Sequence, residues 1–269
     1  MTTPASDRFD DAMAAATRCA EARGVDAGAA EVLHRSNNVV VRFGDLVVKV
    51  AAHAELAERD VALAAHASGN GGPVRPPLGP LEAIDGFAVS TWPFVASTEA
   101  VSDERRADAL VLLHPALADP PIPVRPLRSR FEDGLRLLRD HRATAAIDGD
   151  GRTLLLAALQ RAVAVGDGDV VLHGEPHDGN VLLDDGRGVF IDLEGAVSGP
   201  LEWDLAFLPD RVIASRWPDA DHEVLAQMRV AVSASISTAC WRHVTARPDD
   251  RSMRGHAEHH LTLVRAAAD

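Results

Sequence analysis

Up to residue 91 the chain is written in short β-branched runs broken by two-residue turn signals, and beyond residue 95 long helical stretches take over. No other feature bounds the fold as tightly, because the two halves carry different hydrophobic periods. Residues 37–43 and 46–51 flank Gly44-Asp45, and residues 81–84 and 87–91 flank Asp85-Gly86, so each set reads as a hairpin. A helix is expected at 55–67, stopped by the glycine-rich segment 69–73, and another from the Ser6 cap to about Arg23, ended by Gly24. Trp92-Pro93-Phe94-Val95 is where the character changes. Helical patterns then cover 102–113, 129–141 and 152–165, with 120–126 a proline-rich connector. A β-rich block returns once, at 170–192, and helices resume from Leu201. The clearest has Asp221 as its cap and Leu225, Met228, Val232, Ile236 and Cys240 on one face. The fold class is α+β, with a small antiparallel N-terminal lobe (1–95, hinge 92–95) and a larger, mainly helical C-terminal lobe (96–269).

Of 27 lysines and arginines, one is a lysine, Lys49. It interrupts the β-branched run Leu46-Val47-Val48-Lys49-Val50, where a solvated charge is not expected. Lysine offers a compact point charge on a flexible stem, whereas arginine is a planar fork. A site that needs the point charge would keep lysine here; survival by chance on an edge strand is the plain alternative.

The densest polar stretch is His173-Gly174-Glu175-Pro176-His177-Asp178-Gly179-Asn180, followed after a hairpin by Ile191-Asp192. Its glycines and proline disfavour a helix, so the polar side chains fall on a loop between strands. Phosphoryl transfer needs a carboxylate beside the attacking hydroxyl, oxygen ligands for Mg²⁺ and a cation over the leaving phosphates. Glu175, Asn180, Asp192 and Lys49 supply those groups, and hard oxygens without thiolates suit Mg²⁺ rather than zinc. His173 and His177 lack the helix that would align them on a metal, and His256, Glu258, His259 and His260 read as a solvated helix start. Trp203, Trp217 and Trp241 read as core.

His-Gly-acid-x-x-x-x-Asn followed by Ile-Asp resembles the catalytic and metal motifs of the aminoglycoside phosphotransferase family, relatives of the choline kinases and eukaryotic protein kinases. Residues 37–51 resemble the nucleotide-covering hairpin, 92–95 the hinge, and 199–206 the segment that ends Asp-Leu-Ala. The resemblance implies a bilobal protein-kinase-like fold with ATP or GTP and Mg²⁺ as cofactors. It implies that Lys49 binds the α and β phosphates and that Asp60 or Glu58 is its acidic partner. Glu175 would receive the proton of the substrate hydroxyl, and Asn180 and Asp192 would hold the metal. His173 and Asp204 would brace the loop, and Trp92, Phe94 and Val95 would meet the nucleotide. Two positions depart from the pattern. The Gly-x-Gly-x-x-Gly loop is missing, which leaves its phosphate contacts to Ser36 and Asn37. Glu175 stands where the family has Asp; its additional methylene moves the carboxylate by about 1.5 Å, and a misplacement of about 1 Å can cost roughly a hundredfold in rate.

The net charge of −13 argues against nucleic acid as a partner. It serves either solubility or the attraction of a cationic acceptor such as an aminoglycoside, a basic antibiotic, an amino sugar or an amino alcohol. Apolar runs too short for a bilayer, a polar N-terminus and two cysteines in helical contexts read as a cytoplasmic chain with reduced thiols, monomeric or homodimeric. Two functions follow: a small-molecule kinase, and a nucleotide-binding regulator with little turnover, to which the Glu175 replacement points.

Overall fold

The computed structural model describes residues 5–35, 38–97 and 99–268. Two expected phosphate contacts, Ser36 and Asn37, lie outside the described residues. In chain order the first elements are α1 (Ala5–Ala22), β1 (Ala30–Arg35), β2 (Asn38–Phe43) and β3 (Leu46–Ala51). Next come α2 (Ala54–Gly69), β4 (Glu82–Ile84), β5 (Phe87–Pro93) and α3 (Asp103–Ala116). The middle of the chain holds β6 (Arg125–Pro126), α4 (Leu127–Arg139), α5 (Gly149–Val165), β7 (Val170–Leu172), β8 (Val181–Asp184), β9 (Arg187–Phe190) and β10 (Val197–Gly199). The last helices are α6 (Glu202–Leu205), α7 (Asp210–Arg216), α8 (His222–Ala246) and α9 (Arg251–Ala266).

The chain forms two compact units, Met1–Pro123 with Glu175–Gly195, and Val124–Gly174 with Ala196–Asp269. The sequence reading divides the chain once, at 92–95. The contacts instead group α3 and the β8–β9 hairpin with the N-terminal sheet, because Val74 bridges Phe190 and α3 packs on β9. These are pairings between segments far apart in sequence, invisible to a linear reading.

The first unit is built on an antiparallel five-stranded sheet, order β1-β2-β3-β5-β4. Strand β1 was not anticipated: its six residues are all exposed, so no buried face imprints a period on it. Gly44 alone turns β2 into β3 with a positive φ, 61°, whereas Asp85-Gly86 and Asp185-Gly186 both have positive φ, the mirror-image turn that follows the strand twist. On β3, Leu46, Val48 and Val50 join Val41, Phe43 and Val89 in a core closed by the Ala12, Ala16 and Cys19 face of α1. A strand alternates its side chains, so Lys49 is left on the opposite face, in register with Val40 on β2 and Ser90 on β5.

The second unit centres on α4, α5, α8 and α9, with a three-stranded sheet, order β6-β10-β7. Phe131 meets Trp203 edge to face at 5.4 Å, a geometry that contributes about 0.5–1.5 kcal/mol beyond its buried area. Asp221 caps α8 by accepting from the Glu223 and Val224 amides. Trp203 and Trp241 are buried as expected; Trp217 is half-buried. Cys19 and Cys240 are free and buried. Among the described residues no helix is long and apolar enough to cross a membrane.

Candidate functional site

The sheet face opposite α1 carries the chemistry of the first unit. Lys49 Nζ donates to Asp60 Oδ2 at 2.8 Å and to Asp192 Oδ1 at 2.6 Å, and it pairs with Glu194 Oε2 at 2.9 Å. Asp60 reaches it because α2 buries the stripe Ala57, Asp60, Leu63, Ala64 and Ala67, a helical period. Glu58 lies off that stripe and is exposed, so the acid that pairs with Lys49 is Asp60. Asp60 is also the acceptor for the Leu193 amide, through Oδ1 at 2.8 Å. Both of its oxygens are committed.

Asp192 is delivered by an uncommon backbone. Its φ is 68°, a left-handed conformation that aspartate tolerates better than most residues. The turn Leu193–Gly195 follows at once and folds Glu194 back to the same ammonium. Glu194 also accepts from Asn38 Nδ2 at 2.9 Å, next to the undescribed pair 36–37. Neither Glu194 nor Asn38 was expected at the site. The one sequence signal for Glu194 was an acid two residues after a suspected metal ligand; the turn that aims it was not visible.

Burial disfavours the charge on Lys49, yet Asp60, Asp192 and Glu194 together outweigh it and hold the ammonium above the ordinary lysine range. With all three acids ionised, the one ammonium they share leaves a surplus of negative charge, which the Arg59 guanidinium, donating to the Glu194 carbonyl at 3.3 Å, offsets only in part. Asp192 Oδ2 and Glu194 Oε1 have no hydrogen bond among the described residues. Asp60, Asp192 and Glu194 form the one group of metal-capable side chains among the described residues. The charge deficit and the all-oxygen donors fit a divalent hard cation such as Mg²⁺.

Asn180 sits at the end of the turn Asp178–Asn180 and is buried. Its Nδ2 donates to the Glu175 carbonyl at 3.0 Å, which leaves Oδ1 as the side chain's acceptor atom. The loop is tied internally: the Glu175 carbonyl also accepts the His177 amide at 2.8 Å, and His177 Nδ1 accepts the Gly179 amide at 3.1 Å. Ile191 N donates to the Asn180 carbonyl at 3.0 Å, which links the loop to the Asp192 segment. The Glu175 side chain is exposed. At the other expected contacts, Trp92 lies on the Lys49 face of the sheet and donates from Nε1 to Ser90 Oγ at 2.9 Å. Phe94 has its ring under the Arg42 guanidinium, 3.6 Å from the centroid, and its amide donates to the Asp45 carbonyl. Val95, half-buried, accepts the Ser97 amide on its carbonyl.

In the second unit Asp204 is fully buried and accepts the His173 amide on Oδ2 (2.8 Å) and the Gly174 amide on Oδ1 (2.9 Å). Gly174 has φ 89°, and its carbonyl accepts from Trp203 Nε1 (2.7 Å) and Arg130 Nη1 (3.0 Å). His173 is buried completely. The histidines of α9 pair with one another, His256 stacked on His260 at 6.0 Å and His259 edge-on to it at 5.3 Å.

The fold is similar to a choline/ethanolamine kinase family protein from Mesorhizobium loti (18% identity, 97% of this chain and 95% of that chain, TM-score 0.74). It is also similar to the GDP and kanamycin complex of APH(2")-IIia (15%, 90% and 93%, TM-score 0.65). A putative fructosamine-3-kinase from Thermobifida fusca matches at 23% identity, over 95% and 99% of the two chains, with a TM-score of 0.62. At these identities the likeness is one of fold. No curated protein matches the chain in sequence. The model of the phosphotransferase enzyme family APH, however, matches residues 30–243, a span that holds Lys49, Asp60, Glu175, Asn180, Asp192, Glu194 and Asp204. The chain belongs to the APH phosphotransferase family.

Proposed function

We propose that this phosphotransferase moves the terminal phosphoryl group of ATP or GTP onto a hydroxyl of a small, cationic molecule. The observation that carries the reading is the Lys49 ammonium held 2.6 Å from Asp192 and 2.9 Å from Glu194 in a surplus of negative charge. Lys49 would bind the α and β phosphates, exchanging Asp192 and Glu194 for phosphate oxygens while Asp60 keeps it oriented. Asn180, Asp192 and Glu194 would hold Mg²⁺, which when bound neutralises charge on the phosphates. Glu175 would accept the proton of the attacking hydroxyl, and Asp204 would fix the backbone that leads into it. Trp92, Phe94 and Val95 would border the base. A cationic acceptor is favoured by the net charge of −13, and the relatives named for choline and kanamycin point to amine-bearing substrates.

The test is transfer from ATP and from GTP, with Mg²⁺, to a panel of aminoglycosides, amino sugars and amino alcohols, read by nucleoside diphosphate release and product mass. The expected result is phosphorylation of a hydroxyl on at least one amine-bearing acceptor. Tight nucleotide binding with no turnover on any acceptor would defeat the kinase reading in favour of a nucleotide-binding regulator. Glu175→Asp separates the two independently. A loop shaped around glutamate loses rate when the carboxylate retreats by about 1.5 Å, on the order of a hundredfold. A large gain would instead mark Glu175 as the residue that silences a regulator.

A further inference from the structure

The loop that carries Glu175 and Asn180 has an anchor that the roles above do not use. Arg106 lies on α3 with its guanidinium almost wholly buried, and it forms ion pairs with Asp103 one turn earlier (2.7 Å) and with Asp178 of the loop. Helix α3 is held tightly against the hairpin that follows the loop: a Cβ added at Gly188 would come within 3.1 Å of the Arg105 carbonyl. The backbone around Arg106 is therefore closely packed. The Asp178 side chain, by contrast, is 85% exposed.

An exposed carboxylate adds little to folding stability by pairing, and Asp103 still compensates the buried guanidinium without it. What Asp178 gains is a fixed position. It opens the single turn Asp178–Asn180, in which the Asn180 amide donates to the His177 carbonyl at 2.9 Å and the Asn180 side chain donates to the Glu175 carbonyl at 3.0 Å. In so short a turn, pinning the first residue sets where the third presents its oxygen.

We propose that the Arg106–Asp178 pair is a positioning device that sets Asn180 Oδ1 in its metal-binding place. Arg106 and Asp178 touch neither nucleotide nor metal in this scheme; they act through Asn180. The inference rests on the metal-nucleotide site described under Proposed function. Partners that orient a ligand typically cost roughly 10–100-fold in metal affinity when removed.

The experiment is a nucleotide-binding titration of the full chain as a function of Mg²⁺, with ADP as the probe and a Mg²⁺-free arm, on wild type, Asp178→Asn and Asp178→Glu. Asp178→Asn is expected to raise the half-saturating Mg²⁺ by about tenfold or more. Binding of ADP without Mg²⁺ and the melting temperature of the free protein should stay unchanged. Asp178→Glu, which still reaches the guanidinium, should restore most of the Mg²⁺ response. An unchanged Mg²⁺ requirement in Asp178→Asn overturns the proposal. So does weaker ADP binding to the same degree with and without Mg²⁺, since that marks a structural pair. Wild-type protein that binds no nucleotide at any Mg²⁺ concentration defeats the parent reading, and the anchor falls with it.

Discussion

Asp60 and Asp204 are aspartates removed from solvent, one in each compact unit, and they are held by different means. Asp60 splits its oxygens between a backbone amide and the Lys49 ammonium, which it shares with Asp192 and Glu194. Asp204 spends both oxygens on consecutive backbone amides, those of His173 and Gly174. The first arrangement carries surplus negative charge and leaves oxygens open on Asp192 and Glu194, so under the proposed function its cation would trade partners when phosphates and a metal bind. The second joins one carboxylate to two fixed dipoles. It is suited to shaping a loop, since both of these contacts are to backbone. Burial alone does not separate the two; the kind of partner does, a shared side-chain cation for Asp60 and backbone amides for Asp204.

The largest effect that would break this contrast is expected from Lys49→Met. Removing one member of a buried ion pair strands the others, at a cost of about 3–5 kcal/mol, measurable by chemical denaturation. The sign of its pH dependence is fixed as well. Burial already raises the Asp60 carboxyl above its ordinary value, opposed by Lys49. Without the ammonium only the Leu193 amide still opposes the rise. The folded state then binds protons more tightly than the unfolded chain, so the variant should lose stability as pH climbs above 3.8 toward the raised value. Nucleotide binding should disappear. A variant as stable as wild type at neutral pH would show that the three acids do not depend on this cation.

Asp204→Asn is expected to come second. The amide keeps one acceptor oxygen but turns an NH₂ toward the other backbone donor, and losing one charge-assisted bond in a buried site costs about 1–3 kcal/mol. Denaturation should report that loss while nucleotide affinity without Mg²⁺ stays at the wild-type level, because the residues expected to meet the nucleotide directly belong to the other unit. Undiminished stability would mean that the two amides find other partners and that the contrast with Asp60 is overstated.

Much of this was legible because some residues carry their environment with them. A lone lysine in a β-branched run marked Lys49, and the alternation that sends Leu46, Val48 and Val50 toward α1 explains why the odd position could be charged. The choice between Asp60 and Glu58 was also available in principle, since only Asp60 shares the helical phase of Ala57, Leu63, Ala64 and Ala67. Glu194 was out of reach: its approach depends on Asp192 adopting a left-handed backbone, which an aspartate permits but does not announce. Strand β1, exposed throughout, left no hydrophobic period to read. The grouping of α3, β8 and β9 with the first unit depends on contacts closed only in space, such as the single bridge between Val74 and Phe190 and the packing of α3 on β9.

The smallest expected effect lies on α9 and extends the comparison to a group whose neighbours share its charge. Burial, reinforced by His259 and His256, pushes the His260 imidazole below its ordinary value of 6.5. The unfolded chain therefore binds a proton there more readily than the folded one. Stability from this residue is complete above pH 6.5 and falls away as the pH drops through the region below it. His260→Asn removes the titration and should flatten the acid side of the melting-temperature profile. The ring is only half-buried, so solvent screens it and the change is small, on the order of 1 °C at pH 5. The opposite sign, a variant more acid-sensitive than wild type, would mean that protonated His260 finds a partner in the folded state, as Lys49 does, rather than the repulsion that three adjacent imidazoles imply.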